Sequence, residues 1–320
     1  MTLALACASH SPLMPDGPAD AATRSAVAES FQNLAATIQD FAPDLVIEFG
    51  PDHFNGFFYD LMPAFCVGAA AESIGDWNTK AGPLTVPEKT AVRLSQHLLD
   101  EGIDVALSYR MRIDHGFVQF WESTIGDAGN LPIIPIFVNC AAPPLPTMRR
   151  ARMLGEAVGR FASGLGKRVL IVASGGLSHD PPTPQIATAS PDVRERLIAN
   201  RNPSAQERED RENRVRAMGV AVDMGQAEIL PVSREWDEQF LEKLIHGSAD
   251  IFDGLTIDDL VREAGRGGPE VMCWVAAMAA MRSEGPVETT LHQYADVQGW
   301  IAGMAILSGK SKNPGMESSL

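Results

Sequence analysis

The chain has 320 residues, 45% of them apolar and 21% charged, which is enough for one large or two smaller globular domains with a sizeable core. Its formal net charge of −15 argues against nucleic acid as a partner, and any anionic substrate must be drawn by a local metal or arginine rather than by the overall field. No apolar run reaches the ~20 residues of a membrane span. Cys7, Cys66, Cys140 and Cys273 lie far apart in apolar stretches, with no C-x-x-C pair. They read as buried small hydrophobes. Reduced thiols and no basic leader after Met1 predict the cytoplasm.

Leu3–Ala8 is a short apolar run ended by SHSP and reads as a strand and turn that carries His10. Ala21–Phe41 has helical apolar spacing, and Pro43 ends it. Asp44–Gly50 is a buried strand followed by the His53 loop, a β-α-β beginning. Gly56–Asp76, rich in aromatic residues and glycine, is expected to be loop and strand near a site. Val86–Glu101 is then a helix, and Asp104–Tyr109 a strand before the turn at His115. Leu131–Asn139 is a strand, Thr147–Leu165 a helix, and Arg168–Ala173 a buried strand that empties into SGGLSH with His179.

Pro191–Arg216 is dense in charge and reads as a solvated helical excursion, within about 186–230. Helices follow at Trp236–Ile245, Ile257–Glu263 and Glu270–Met281, the last Ala- and Met-rich and so buried. The pattern predicts a single α/β domain over 1–308, a central mixed sheet with helices on both faces and the site at strand ends. A polar tail over 309–320 is predicted to follow.

Four of the seven histidines, His10, His53, His115 and His179, stand where a strand runs out, and suggest one shared site with a metal. Glu270 is the best carboxylate to join them, although by local pattern alone a first-turn glutamate stabilised by the helix dipole is the preferred reading. Asp52, Asp114 and Asp180 are alternatives. Two histidines and one carboxylate would form a facial triad with open positions. The remaining imidazoles are acid–base candidates. SGGLSH is neither a serine-hydrolase elbow nor a nucleotide loop. His97, His246 and His292 read as structural or exposed.

SHSP, PDHFNGFFYD, DHGF and SGGLSH, in this order, resemble the class III extradiol ring-cleavage dioxygenases. The likeness extends through FFYDLMPAFC, RMLGEAVGRF, the Trp236–Phe240 stretch and GWIAGM at Gly299–Met304. It implies Fe(II) held by His10, His53 and Glu270, with His115 as acid and His179 as base. It also implies a catechol and O₂ as substrates and assembly into a homo-oligomer. Within the family the likeness is greatest to members that cleave catechols bearing a propionate tail. Phe54, Phe57, Phe58 and Phe117 are candidate walls for the ring, and Arg110 and Arg112 candidate cations for the tail. A family member acting on another catechol, a non-catalytic binding protein of the same fold and a zinc hydrolase are the competing readings.

Overall fold

The computed structural model describes residues 3–127, 129 and 131–311. Four parallel strands form the centre: β1 (Leu3–Ala8), β2 (Leu45–Gly50), β8 (Ile133–Val138) and β9 (Val169–Ser174), in the order β1-β9-β2-β8. Every residue of these strands is buried, so they read as continuous apolar runs rather than alternating ones. Beyond β8 lie β3 (Phe65–Gly68), antiparallel to it, and β6 (Ala106–Ser108). Beyond β1 lie β11 (Ala302–Ser311), antiparallel to β1, and then β10 (Val287–Val297), antiparallel to β11. The result is a mixed eight-stranded sheet.

The chain moves from β1 outward to β2 and β8, then returns to insert β9. Its connecting helices therefore fall on opposite faces. On one face α1 (Ala21–Phe41) and α3 (His115–Ser123) cover Ala4, Val46, Leu170 and Val172. On the other α2 (Glu88–Asp100), α4 (Met148–Ser163), α7 (Arg234–His246) and α9 (Val271–Arg282) cover Leu5, Ile47, Ile136 and Ile171. A short α8 (Ile257–Ala264) leads toward α9. Gly155 and Gly159 of α4 let α9 approach closely: a Cβ at either would stand 2.0–2.1 Å from the carbonyl oxygens of Ala276 and Ala280. Helix α9 is buried from Val271 through Met281, which fixes the residue just before it, Glu270.

Strands β10 and β11 were not anticipated from the sequence. Strand β11 pairs with β10 as far as Ser311, so Gly309–Ser311 belong to the sheet and not to the tail expected from 309; residues 312–320 of that tail lie outside the described residues. All four cysteines are buried and unpaired. Among the described residues no helix is long and apolar enough to cross a membrane.

Glu48 breaks the apolar run of β2. It is 1% exposed and faces α3, where the Trp121 indole N–H donates to its Oε2 at 2.8 Å while Oε1 has no partner among the described residues. Burial pushes its carboxyl up to about 8. The unfolded chain releases this proton above about 4.5, whereas the folded chain holds it to about 8. Stability is therefore lost as pH rises between these values, by on the order of 4 kcal/mol. Glu48→Gln keeps an acceptor for Trp121 and removes the titration. In urea unfolding the variant is expected to gain about 2 kcal/mol or more over wild type at pH 8 and little at pH 5. Parallel pH dependences for the two proteins would contradict this account.

Candidate active site at the carboxyl ends of the parallel strands

The carboxyl ends of β1, β2 and β9 deliver His10, His53 and the SGGLSH loop to one side of the sheet, where ligands gather in open α/β folds. His115 comes from a second, three-stranded sheet formed by β5 (Gly82–Pro83), β4 (Ala71–Ser73) and β7 (Met111–Ile113). β4 and β7 run parallel, with Ser73 opposite Ile113. The turn after β4 thus brings Asp76 beside the turn after β7, where Asp114 caps α3 and His115 opens it.

Each of the four imidazoles is tied by Nδ1, which leaves Nε2 free for the site. His10 Nδ1 meets Ser174 Oγ at 3.0 Å, and His53 Nδ1 meets Asp114 Oδ2 at 3.1 Å. His115 Nδ1 stands 2.6 Å from Asp76 Oδ2, while its backbone N–H donates to Asp76 Oδ1 at 2.8 Å. His179 Nδ1 donates to the Leu177 carbonyl at 2.9 Å. The acid adjacent to His115 in sequence thus serves His53, and His115 is served from 39 residues upstream. A tether of this kind fixes both tautomer and ring orientation.

Glu270, 4% exposed, enters among these nitrogens. Its Oε1 lies 3.2 Å from Nε2 of both His53 and His179, and its Oε2 lies 3.8 Å from His10 Nε2 and accepts the Gly176 N–H at 2.8 Å. Donors bound at about 2.1 Å and roughly right angles to one ion stand about 3 Å apart, so the separations of Glu270 from His53 and His10, 3.2 and 3.8 Å, suit ligands of one ion. Two further possible sets are present: the donor atoms of His10, His53 and His115, and those of Asp76, Asp114 and His115, lie within 4.8 Å of one another in each set. Two of the other candidate carboxylates are engaged elsewhere. Asp52 accepts three backbone N–H groups from Asn55, Gly56 and Phe57, and Asp180 is paired with Arg266.

Burial and charge act against each other in this cluster. Burial pushes His10 down to about 3 despite the pull of Glu270, so it is a neutral imidazole ready to ligate. For His53 burial acts downward too, but Asp114 and Glu270 prevail and hold it well above the usual range. Burial resists ionisation of Glu270, yet His179, His53 and His10 hold its carboxyl well below the usual range.

Neighbours shape the same site. Gly267 leaves room for His179, since a Cβ there would lie 2.0 Å from Nε2. Asp237 of α7 anchors the loop before His179: it accepts the Ser178 N–H at 2.7 Å and the hydroxyls of Ser178 and Tyr294 at 2.9 and 2.8 Å. Burial pushes this carboxyl up to about 6. The sequence offers no local signal for Asp76 or Asp237, because their partners are distant in the chain.

A cavity of about 740 Å³ opens over the histidines, with Phe54, Phe58, Trp77, Trp300 and Ile301 in its walls. Phe54, Trp77 and Ile301 all have φ between 52° and 57°, a left-handed backbone that costs bulky residues about 1–3 kcal/mol and tends to occur at functional sites. Two of the four phenylalanines expected to line the ring pocket do so. Phe57 instead stacks on Phe137 at 3.8 Å, and Phe117 is fully buried against Gly50. Arg110 and Arg112 are outside the cavity, Arg112 donating to the Arg201 carbonyl; turning from β6 into β7 carries them away from His115.

The charged excursion is not merely a solvated face. It forms α5 (Pro191–Ala199) and α6 (Ala205–Asp223), and both helices roof the cavity. His97 bonds the Ala157 carbonyl, His292 bonds Ser308, and His246 is exposed.

A doubly covered sheet with four inward imidazoles and a buried carboxylate at its strand ends defines an α/β enzyme built round a metal-type donor set. Residues 4–305 match the family described as the catalytic LigB subunit of aromatic ring-opening dioxygenase, and the chain belongs to that family. It is an extradiol ring-cleavage dioxygenase. Among its relatives are proteins named 2,3-dihydroxyphenylpropionate/2,3-dihydroxicinnamic acid 1,2-dioxygenase. One from Rhodococcus sp is 49% identical over 96% of this chain and 98% of its own. One from Photorhabdus laumondii is 47% identical over 97% and 98%. One from Dechloromonas aromatica, named with the suffix 1, is 42% identical over 98% and 100%. A crystal structure of an uncharacterized protein from Escherichia coli K12 shares the fold, with a TM-score of 0.56 at 15% identity, over 95% of this chain and 98% of that one.

Proposed function

We propose that the enzyme uses Fe(II) and O₂ to open 3-(2,3-dihydroxyphenyl)propanoate beside its diol, giving 2-hydroxy-6-oxonona-2,4-dienedioate. The observation that carries this reading is the convergence of three Nδ1-tethered imidazoles, His10, His53 and His179, on Glu270, with His115 stacked on His53, beneath an aromatic-walled cavity. The names and the 42–49% identity of the relatives support the substrate. His10, His53 and Glu270 would hold the iron. Bound iron supplies Lewis acidity toward the catechol oxygens and a path for electrons from the ring to O₂.

The chain's own groups then divide the proton work. His179, whose Nδ1 donates to a neutral carbonyl, takes a catechol proton on Nε2, where Glu270 Oε1 at 3.2 Å stabilises the imidazolium that forms. His115, backed by the Asp76 carboxylate, can carry a proton on both nitrogens and delivers one from Nε2 during bond cleavage. Phe54, Phe58 and Trp77 hold the ring and keep water from the reacting atoms. We place the enzyme in the cytoplasm on its unpaired cysteines, and as a homo-oligomer on the family resemblance.

O₂ uptake and product absorbance across a catechol panel test this reading with Fe(II)-reconstituted enzyme. One iron per chain and the highest kcat/KM for the propanoate-bearing catechol are expected. Hydrolysis with zinc and no O₂ uptake, or no ring-opened product from any catechol, would overturn it.

A further inference from the structure

We infer that Arg208, on the cavity face of α6, recognises the side-chain carboxylate of the substrate. This rests on the substrate reading above. The overall charge of −15 repels an anionic tail, so a local cation must hold it. Among the described residues, the cations lining the cavity are four arginines, all from α5 and α6: Arg196, Arg208, Arg211 and Arg214.

They are not equivalent. Arg211 is committed, donating to the His53 carbonyl and to Asn55 Oδ1. Arg196 and Arg214 are exposed, where water weakens any pairing with a carboxylate. Arg208 is half-buried, and among the described residues its guanidinium has neither an ion pair nor a hydrogen bond.

Position on the helix supports the same choice. Arg208, Arg211, Val215 and Met218 follow helical spacing and all line the cavity, so one face of α6 looks into it. Arg211 is tied to the backbone of His53 and so marks the level of the histidine cluster. Arg208 lies three residues away, a rise of about 4.5 Å. A propanoate tail of three bonds of about 1.5 Å spans a similar distance. A guanidinium can take a carboxylate through two parallel hydrogen bonds, which a lysine cannot reproduce.

The test compares kcat/KM for 3-(2,3-dihydroxyphenyl)propanoate with that for 3-propylcatechol, which lacks the charge. Arg208→Gln is expected to lower this ratio about 10- to 100-fold, chiefly through KM. The inhibition constant of 3-phenylpropanoate, which has no diol, should rise by a similar factor. Arg208→Lys should retain part of the preference, and it carries the test if the glutamine variant does not fold. Arg110→Gln, outside the cavity, should leave the ratio at the wild-type value. A wild-type preference that survives Arg208→Gln, or an equal fall with both substrates, overturns the inference alone. A wild-type enzyme with no preference for the carboxylated catechol overturns the substrate reading and the arginine with it.

Discussion

Glu270→Gln is expected to abolish stoichiometric iron binding and, with it, ring cleavage. The carboxylate is the anionic member of a donor set otherwise made of imidazoles, and its Oε1 and Oε2 face His53 and His10 at 3.2 and 3.8 Å. Glutamine keeps the shape and an acceptor oxygen but removes the charge that balances a divalent ion. Changing a group that merely orients a ligand costs about 10- to 100-fold in metal affinity, so loss of the ligand charge itself should cost at least about 100-fold. Because α9 is buried along its length and packed against α4, the backbone at 270 should stay in place, and the loss should be local. Metal content after reconstitution and desalting, measured beside kcat, checks this. Retention of one iron per chain would move the ligand set to His10, His53 and His115, whose donor atoms lie within 4.8 Å of one another.

How far such a site can be read from the chain depends on what each residue's role leaves behind locally. β1, β2 and β9 are legible because both their faces are buried, so each is a compact apolar run cut short by a turn. The same cut places His10, His53 and His179 at strand ends. β10 leaves no such trace: VETTLHQYADV is an edge strand with a partly polar surface and a bulge between Leu291 and Gln293. The charges of α6 look alike in sequence whether they face bulk water or a cavity, so its role as a roof leaves no local trace. Proximity in sequence misled at Arg110 and Arg112. Arg112 is three residues from His115 but is carried out of the cavity by β7, and Asp114, next to His115, serves His53 instead.

The partner that His115 does have yields the second large effect. Asp76→Asn is expected to lower kcat about 10²- to 10⁴-fold with little change in KM. In the wild type Asp76 Oδ1 accepts the His115 backbone N–H, and Oδ2 accepts from ring Nδ1 at 2.6 Å. If the asparagine oxygen stays with the backbone N–H, its NH₂ turns toward Nδ1. The ring must then accept at Nδ1 and keep its single hydrogen on Nε2. A second proton on the ring would face a donor instead of a carboxylate, so His115 could no longer act as a charged proton donor. The proposed ligands need not move, because Asp76 bonds His115 and not His10, His53 or Glu270. Iron content and anaerobic catechol binding, followed by absorbance, should therefore match wild type, while turnover after O₂ admission is slow. Asp76→Glu, which restores the charge, should recover part of the rate. Equal losses of iron and of kcat in Asp76→Asn would instead make the aspartate a structural support for the whole cluster.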